Sequence, residues 1–283
     1  AIAYDLLKFG SPSKVIIADI DLHQAQVSAE RNKSLLNTDK VLATQVNVND
    51  ENQMLDLLKD VDVLISAVPY HLNTKVTDFA IESSTSMVDL GGHTGIVQAQ
   101  LARSTEANER GITIVPDCGM GPGMNVTMAL LAMEQLDNPK HVRIWDGGLP
   151  LNPVEPWNYA SFFNINGLTN EYDGDAFFIK DSKVVQVPCF EDIEILSFGG
   201  EIGDLEAAVT SGGLSTMPWT YEGQLETLEN KTLRYFGHWE QMIAFRQLGL
   251  FDLKPIQFNS QEIIPREFYH QLLEPKLNLN SKE

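Results

Sequence analysis

Two stretches of this chain combine residue types and spacing that could do chemistry. One is Asp89-Leu90-Gly91-Gly92-His93, and the other is Asp117-Cys118-Gly119-Met120-Gly121-Pro122-Gly123-Met124-Asn125. The second follows a β-branched run, Ile112-Thr113-Ile114-Val115. It leads into Met124, Met128, Leu131, Met133 and Leu136, which recur at helical spacing. Glycines let the backbone approach a ligand closely, and Pro122 stands where a first helical turn needs no N–H. Ligands of open α/β sheets bind beyond the carboxyl ends of strands, and both stretches are expected at such ends. Each alone also reads as a Gly-rich turn with a solvated aspartate. Together, in one alternating chain, they favour a site.

The elements that must position these residues can be read from the pattern. Residues 1–10 read as the latter part of an amphipathic helix, with Ile2, Leu6 and Phe9 on one face and Gly10 as its stop. Strands are expected at Lys14–Ile20, Val41–Val48, Val61–Ala67, Ser86–Leu90 and 112–116, and helices at Leu22–Leu36, 51–59, 73–82 and 97–109. Strands alternating with helices imply a parallel, doubly wound sheet with right-handed crossovers. Read this way, the chain starts at the helix that ordinarily follows a Rossmann glycine loop, so the first strand and its G-x-G-x-x-G are expected to be missing. Asp19 then closes what would be strand two. There an acid hydrogen-bonds the adenosine ribose of NAD and repels the 2′-phosphate of NADP. No Arg or Lys follows before Arg31, which favours NAD. Asp21 is the more natural cap of the next helix.

The second half changes character. His141–Asp146 alternates like a strand and runs into Gly147-Gly148-Leu149-Pro150. A helical segment is expected around 167–172, then a hairpin of Ala176–Ile179 and Val184–Val187. Lys231–Gly237 alternates as a strand with Thr232, Arg234 and Phe236 on one face, and His238 precedes a helix over Trp239–Leu248. A turn at 257–260, a helix over 265–273 and a polar tail over 277–283 complete a mixed α+β domain. The expected division is 1–122 for a Rossmann-type domain and 123–283 for a second α+β domain.

Composition narrows the function classes. A formal charge of −19 argues against general electrostatic binding of nucleic acid or an anionic membrane. No apolar run approaches the ~18–20 residues of a membrane span. Cys118 and Cys189 are too few and too far apart for a metal cluster, so no metal is expected, and a reducing cytoplasm fits them best.

The motifs DLGGH (89–93), PDCGMGPGMN (116–125), DGGLP (146–150), TSGGLST (210–216) and KTLRYFGHWEQM (231–242) resemble, in order and spacing, the saccharopine dehydrogenase-like superfamily, and within it the lysine 6-dehydrogenases. The resemblance covers essentially the whole chain. It implies an NAD(P)-binding Rossmann domain, a second domain that supplies substrate and oligomer contacts in a homodimer or higher homo-oligomer, and a chain cut short at both ends. The implied reaction is NAD-dependent oxidation of the ε-amine of L-lysine, with hydrolysis of the imine to the 6-semialdehyde. Ser66, Ala67, Val68 and Pro69, with Asp89, Leu90 and Gly91, would line the nicotinamide side. Asp117 is a candidate for the cationic end of the substrate, and His93 is a candidate proton acceptor unless it only fixes its loop. Arg234, beside Thr232, is the candidate clamp for the α-carboxylate, because its planar fork matches that group; an ordinary salt bridge is the other reading. His238, Ser215 and Thr216 are candidate pocket residues, or else helix-start and turn residues. A saccharopine reductase or carboxynorspermidine dehydrogenase using NADPH, and a non-catalytic relative keeping the fold, are the competing readings.

Overall fold

The computed structural model describes residues 1–277; the polar tail over 278–283 lies outside the described residues. In chain order the first elements are α1 (Ile2–Asp5), β1 (Val15–Asp19), α2 (Leu22–Leu36), β2 (Val41–Gln45), α3 (Glu51–Leu58), β3 (Val63–Ser66), α4 (Asn73–Ser83), β4 (Ser86–Asp89), α5 (Thr94–Leu101), α6 (Ser104–Glu109) and β5 (Ile114–Val115). Helix α2 begins where Asp21 accepts the N–H groups of His23 at 2.8 Å and Gln24 at 3.4 Å, and ends at Asn37 with φ 48°. Asp50 caps α3 through Gln53 N in the same way.

The parallel strands form two separate ladders, β1–β2 and β3–β4–β5. In the first, Val15 pairs Val41 and Asp19 pairs Gln45. In the second, Ser86 N donates to Asp62 O and Leu90 N to Ser66 O, which runs β4 alongside β3 in the same direction. Two local expectations are corrected. The N-terminal helix ends at Gly10, but through a π turn over Leu6–Gly10, and the left-handed cap is Ser11 and not the glycine. The helix expected over 97–109 is broken between α5 and α6, where the Ser104 hydroxyl bonds the Leu101 carbonyl and competes with the helical ladder.

The remaining elements are α7 (Met124–Met133), β6 (His141–Asp146), α8 (Ile165–Glu171), β7 (Asp175–Lys180), β8 (Lys183–Pro188), β9 (Glu194–Ser197), β10 (Asp204–Val209), α9 (Met217–Thr220), β11 (Thr227–Arg234), α10 (His238–Gln247), β12 (Ile256–Phe258), β13 (Gln261–Ile263) and α11 (Pro265–Leu273). Strand β11 is the hub of a six-stranded sheet. It pairs parallel with β6 and antiparallel with both β7 and β10. Burial on both its faces overrides the expected alternation: Lys231 to Arg234 are all buried, whereas Phe236 lies past the strand end and is exposed. Strands β9 and β10 were not expected; Ala207 and Ala208 have little β propensity and are held there by their neighbours.

The described residues separate into two compact units: residues 1–64, 74–87 and 105–114, and residues 65–73, 88–104 and 115–277. The first has its own core of Val46, Met54, Leu58 and Phe79. The second has two main clusters, one around Tyr172, Trp239 and Tyr269 and one around Phe178, Leu228 and Met217. The two units are discontinuous in sequence. The loops after β3, β4 and β5, which carry the sequence motifs, belong to the second unit.

Candidate active site in the second unit

The loop after β4 is built around Asp89, whose carboxylate is fully buried. Its Oδ1 accepts from Gly91 N at 2.8 Å and Asp117 N at 3.1 Å, and its Oδ2 from Gln100 Nε2 at 2.7 Å. The Asp89 carbonyl accepts from Cys118 N. Asp89 therefore fastens the two motif turns together, and its oxygens are occupied within the chain. Leu90 is exposed at the strand end. Gly91 has φ 72°, and a Cβ there would lie 1.9 Å from Asp117 Oδ1, so only glycine fits. Beside it, Ser66 is buried with its hydroxyl donating to Asn73 Oδ1 at 2.8 Å, while Ala67 and Pro69 are exposed and Val68 is half-buried. The His93 ring is exposed, stacks on Tyr70 at 5.5 Å, and offers Nδ1 to Ile96 N at 3.4 Å as the cap of α5.

Asp117 is the most unusual group in the site. It is a non-glycine residue at φ 60°, only 6% exposed, and its Oδ1 has no hydrogen-bond partner. Such strain and such an orphan persist only where the surroundings over-determine them, and both concentrate at functional sites. Burial raises its pKa above the usual carboxylate range, with a further push from the Asp89 charge. The Ser215 hydroxyl and the Gly92 N–H act in the opposite direction. Asp117 lines an open cavity of about 560 Å³ with Ser215, Thr216, Met124, Met128 and Met217. The methionine stripe that the sequence placed at helical spacing faces outward: Met124, Met128 and Leu131 are exposed, and α7 packs through Val126, Ala129, Leu130 and Met133.

Arg234, Thr232 and His238 form a different cluster. Arg234 is 2% exposed, and its guanidinium lies over the rings of Tyr159, Tyr172 and Trp239, at 4.8, 5.7 and 5.7 Å. Its Nε donates to Tyr172 Oη at 2.8 Å, its Nη1 to the Leu233 carbonyl at 2.8 Å, and its Nη2 pairs with Glu171 at 3.5 Å. Thr232 Oγ1 donates to the same Glu171 oxygen at 3.1 Å. Tyr172 Oη stands 2.9 Å from His238 Nε2. Burial and the Arg234 charge push the His238 pKa down to about 3, so the ring is neutral. The structure thus sorts the expected substrate residues into two groups, Asp117 with Ser215 and Thr216, and Arg234 with Thr232 and His238. Glu171, Tyr159 and Tyr172 carry no local motif and were missed. In the first unit Asp19 is exposed at the end of β1, with Oδ1 accepting from Asp21 N at 2.9 Å.

Two family models divide the chain between them. The Saccharopine dehydrogenase NADP binding domain matches residues 1–115, and the Saccharopine dehydrogenase C-terminal domain matches residues 119–283. The chain belongs to the saccharopine dehydrogenase family. The Asp117 turn falls at the join between the two models. Relatives include the mitochondrial alpha-aminoadipic semialdehyde synthase of Mus musculus, 25% identical over 215 residues, or 71% of this chain and 22% of that protein. Saccharopine dehydrogenase [NADP(+), L-glutamate-forming] of Saccharomyces cerevisiae is 26% identical over 151 residues, 51% of this chain and 33% of that protein. The chain therefore spans a third or less of the length of these curated relatives. The solved apo saccharopine dehydrogenase (L-Glu forming) from Saccharomyces cerevisiae shares the fold, with a TM-score of 0.68 at 22% identity over 89% of this chain and 58% of that one. Among the described residues no helix is long and apolar enough to cross a membrane.

Proposed function

We propose that this family member oxidises the ε-amine of L-lysine with NAD, and that Asp117 takes the ammonium proton. The observation that carries the reading is a strained, buried, half-partnered carboxylate on the wall of a methionine-lined cavity, a chemistry suited to an ammonium group on an aliphatic chain. A carboxylate with a raised pKa binds a cation and can also accept its proton. Ser215 steadies the carboxylate and Thr216 offers a second hydroxyl. In the second unit the exposed Ala67, Pro69 and Leu90 suit a nicotinamide ring at the strand ends, and in the first unit the exposed Asp19 suits a ribose hydroxyl. When bound, the nicotinamide supplies the hydride acceptor. The substrate loses a proton and a hydride to give an imine, and water releases ammonia and the 6-semialdehyde. The substrate is proposed to be a free amino acid, and the protein a homo-oligomer.

The test is NADH formation by the whole gene product with lysine, saccharopine and other amino acids. Turnover with lysine alone supports the proposal; turnover only with saccharopine and NADP would replace it. That second reading is favoured by the NADP-linked relatives and the NADP-type domain model. Asp19 separates the cofactors. Asp19→Ser is expected to weaken NAD about tenfold to a hundredfold and to narrow its lead over NADP, since a charged hydrogen bond contributes ~1.5–3 kcal/mol. Equilibrium titration with both nucleotides reads this out, and unchanged constants would leave Asp19 a surface acid.

A further inference from the structure

Three of the motifs meet at one carboxylate that the proposed reaction does not use. Asp146, at the end of β6, accepts from Asn230 Nδ2 at 2.9 Å through Oδ1 and from Asn125 Nδ2 at 3.2 Å through Oδ2. Asn125 also donates to the Gly213 carbonyl at 3.0 Å, and its Oδ1 accepts from Gly123 N and Val126 N at 3.2 and 2.7 Å. Neither end of that amide can be reversed without losing bonds. Asn230 donates a second bond to Ile144 O at 3.3 Å. The backbone crowds the cluster: a Cβ on Gly121 would lie 2.3 Å from Asp146 Oδ2, and one on Gly213 would lie 1.9 Å from Asn230 Oδ1. Gly121 belongs to the turn that begins at Asp117, and Gly213 lies two residues before Ser215.

We propose that Asp146 is a positioning residue that sets the Asp117–Ser215 contact by holding Asn125, which ties the Asp117 turn to the Gly213 carbonyl, while Asn230 fixes Asp146 from β11. Each carboxylate oxygen accepts from one amide, and both bonds are strongest when the group is ionised. Burial pushes the Asp146 pKa above the usual carboxylate range, and the Asn230 amide, the Arg234 charge and the Asn125 amide draw it back. Asp146→Asn keeps the shape but presents an amide N–H₂ to an amide that cannot turn. The functional arm of the test rests on the reading of Asp117 as proton acceptor, and the spectroscopic arm does not.

The experiment uses the whole gene product carrying ¹³C-labelled aspartate, with the Asp117 carboxyl resonance assigned by its disappearance in Asp117→Asn. In Asp146→Asn at fixed pH that resonance should move. Lysine-dependent kcat should fall about a hundredfold, the scale of a small misplacement of a catalytic group, with KM nearly unchanged. Asn125→Ala should move the same resonance, and the double variant should lose no more kcat than the worse single one. It also keeps the test decisive if Asp146→Asn fails to fold. A resonance that stays in place in a folded variant, or additive losses in the double variant, would overturn the proposal. A resonance that moves in a protein that does not oxidise amines supports the positioning role and rejects the proposed function alone.

Discussion

Asp117→Asn is expected to abolish most turnover while leaving the protein folded and slightly more stable at neutral pH. The loss should reach at least ~100-fold in kcat, the usual contribution of a positioned general base. The stability change has the opposite sign. Burial raises the Asp117 pKa in the folded state, so the folded protein holds that proton more tightly than the unfolded chain. Stability from this group is therefore present at low pH and declines as pH rises from the ordinary carboxylate pKa through the raised one; above that window the buried charge is a net burden. A neutral isostere removes the burden. Thermal melts from acid to neutral pH should show the variant gaining on the parent as pH rises, alongside NADH assays at each pH. A variant that melts lower at neutral pH, or that turns over normally, would show that the charge is structural and that another group takes the proton.

Arg234→Met is expected to cause the largest loss of stability. Removing the buried partner of this ion pair strands Glu171, which keeps 23% of its side chain exposed, so the cost should approach but not exceed the about 3–5 kcal/mol of a fully buried pair. The Glu171 carboxylate is already pushed toward protonation by burial and drawn back by the Arg234 charge. Methionine also leaves the Tyr172 hydroxyl without its Arg234 donor. Arg234→Lys keeps a charge but cannot reach Tyr172, Leu233 and Glu171 together from one ammonium, so it should lose less than methionine and more than a surface change. Urea midpoints of the parent and both variants measure this order. Equal midpoints would mean that the guanidinium does not hold the cluster, and would return Arg234 to the carboxylate clamp alone.

Much of the fold follows from local chemistry and was legible. Helix α2 spans Leu22–Leu36 as its pattern requires, because Asp21 caps one end and Asn37 turns left-handed at the other. The hairpin of β7 and β8 and helix α11 lie where their turn residues place them. The glycine motifs were legible as places of close backbone approach, but the group that Gly91 meets is the Asp117 carboxylate of the chain itself. What the tertiary structure alone decided is where charges sit. Glu171 joins Arg234 across 62 intervening residues, from Tyr172 through Leu233, and Asn230 joins Asp146 from 84 positions away in sequence. Strand β11 hides the alternation around Arg234 by being buried on both faces. Periodicity reports which face of an element is apolar, but a buried charge is tolerated only beside partners, and those partners come from distant segments. For that reason the sequence pointed to Asp117 as chemistry and left Asp146, Glu171 and their amide and aromatic neighbours to the folded chain.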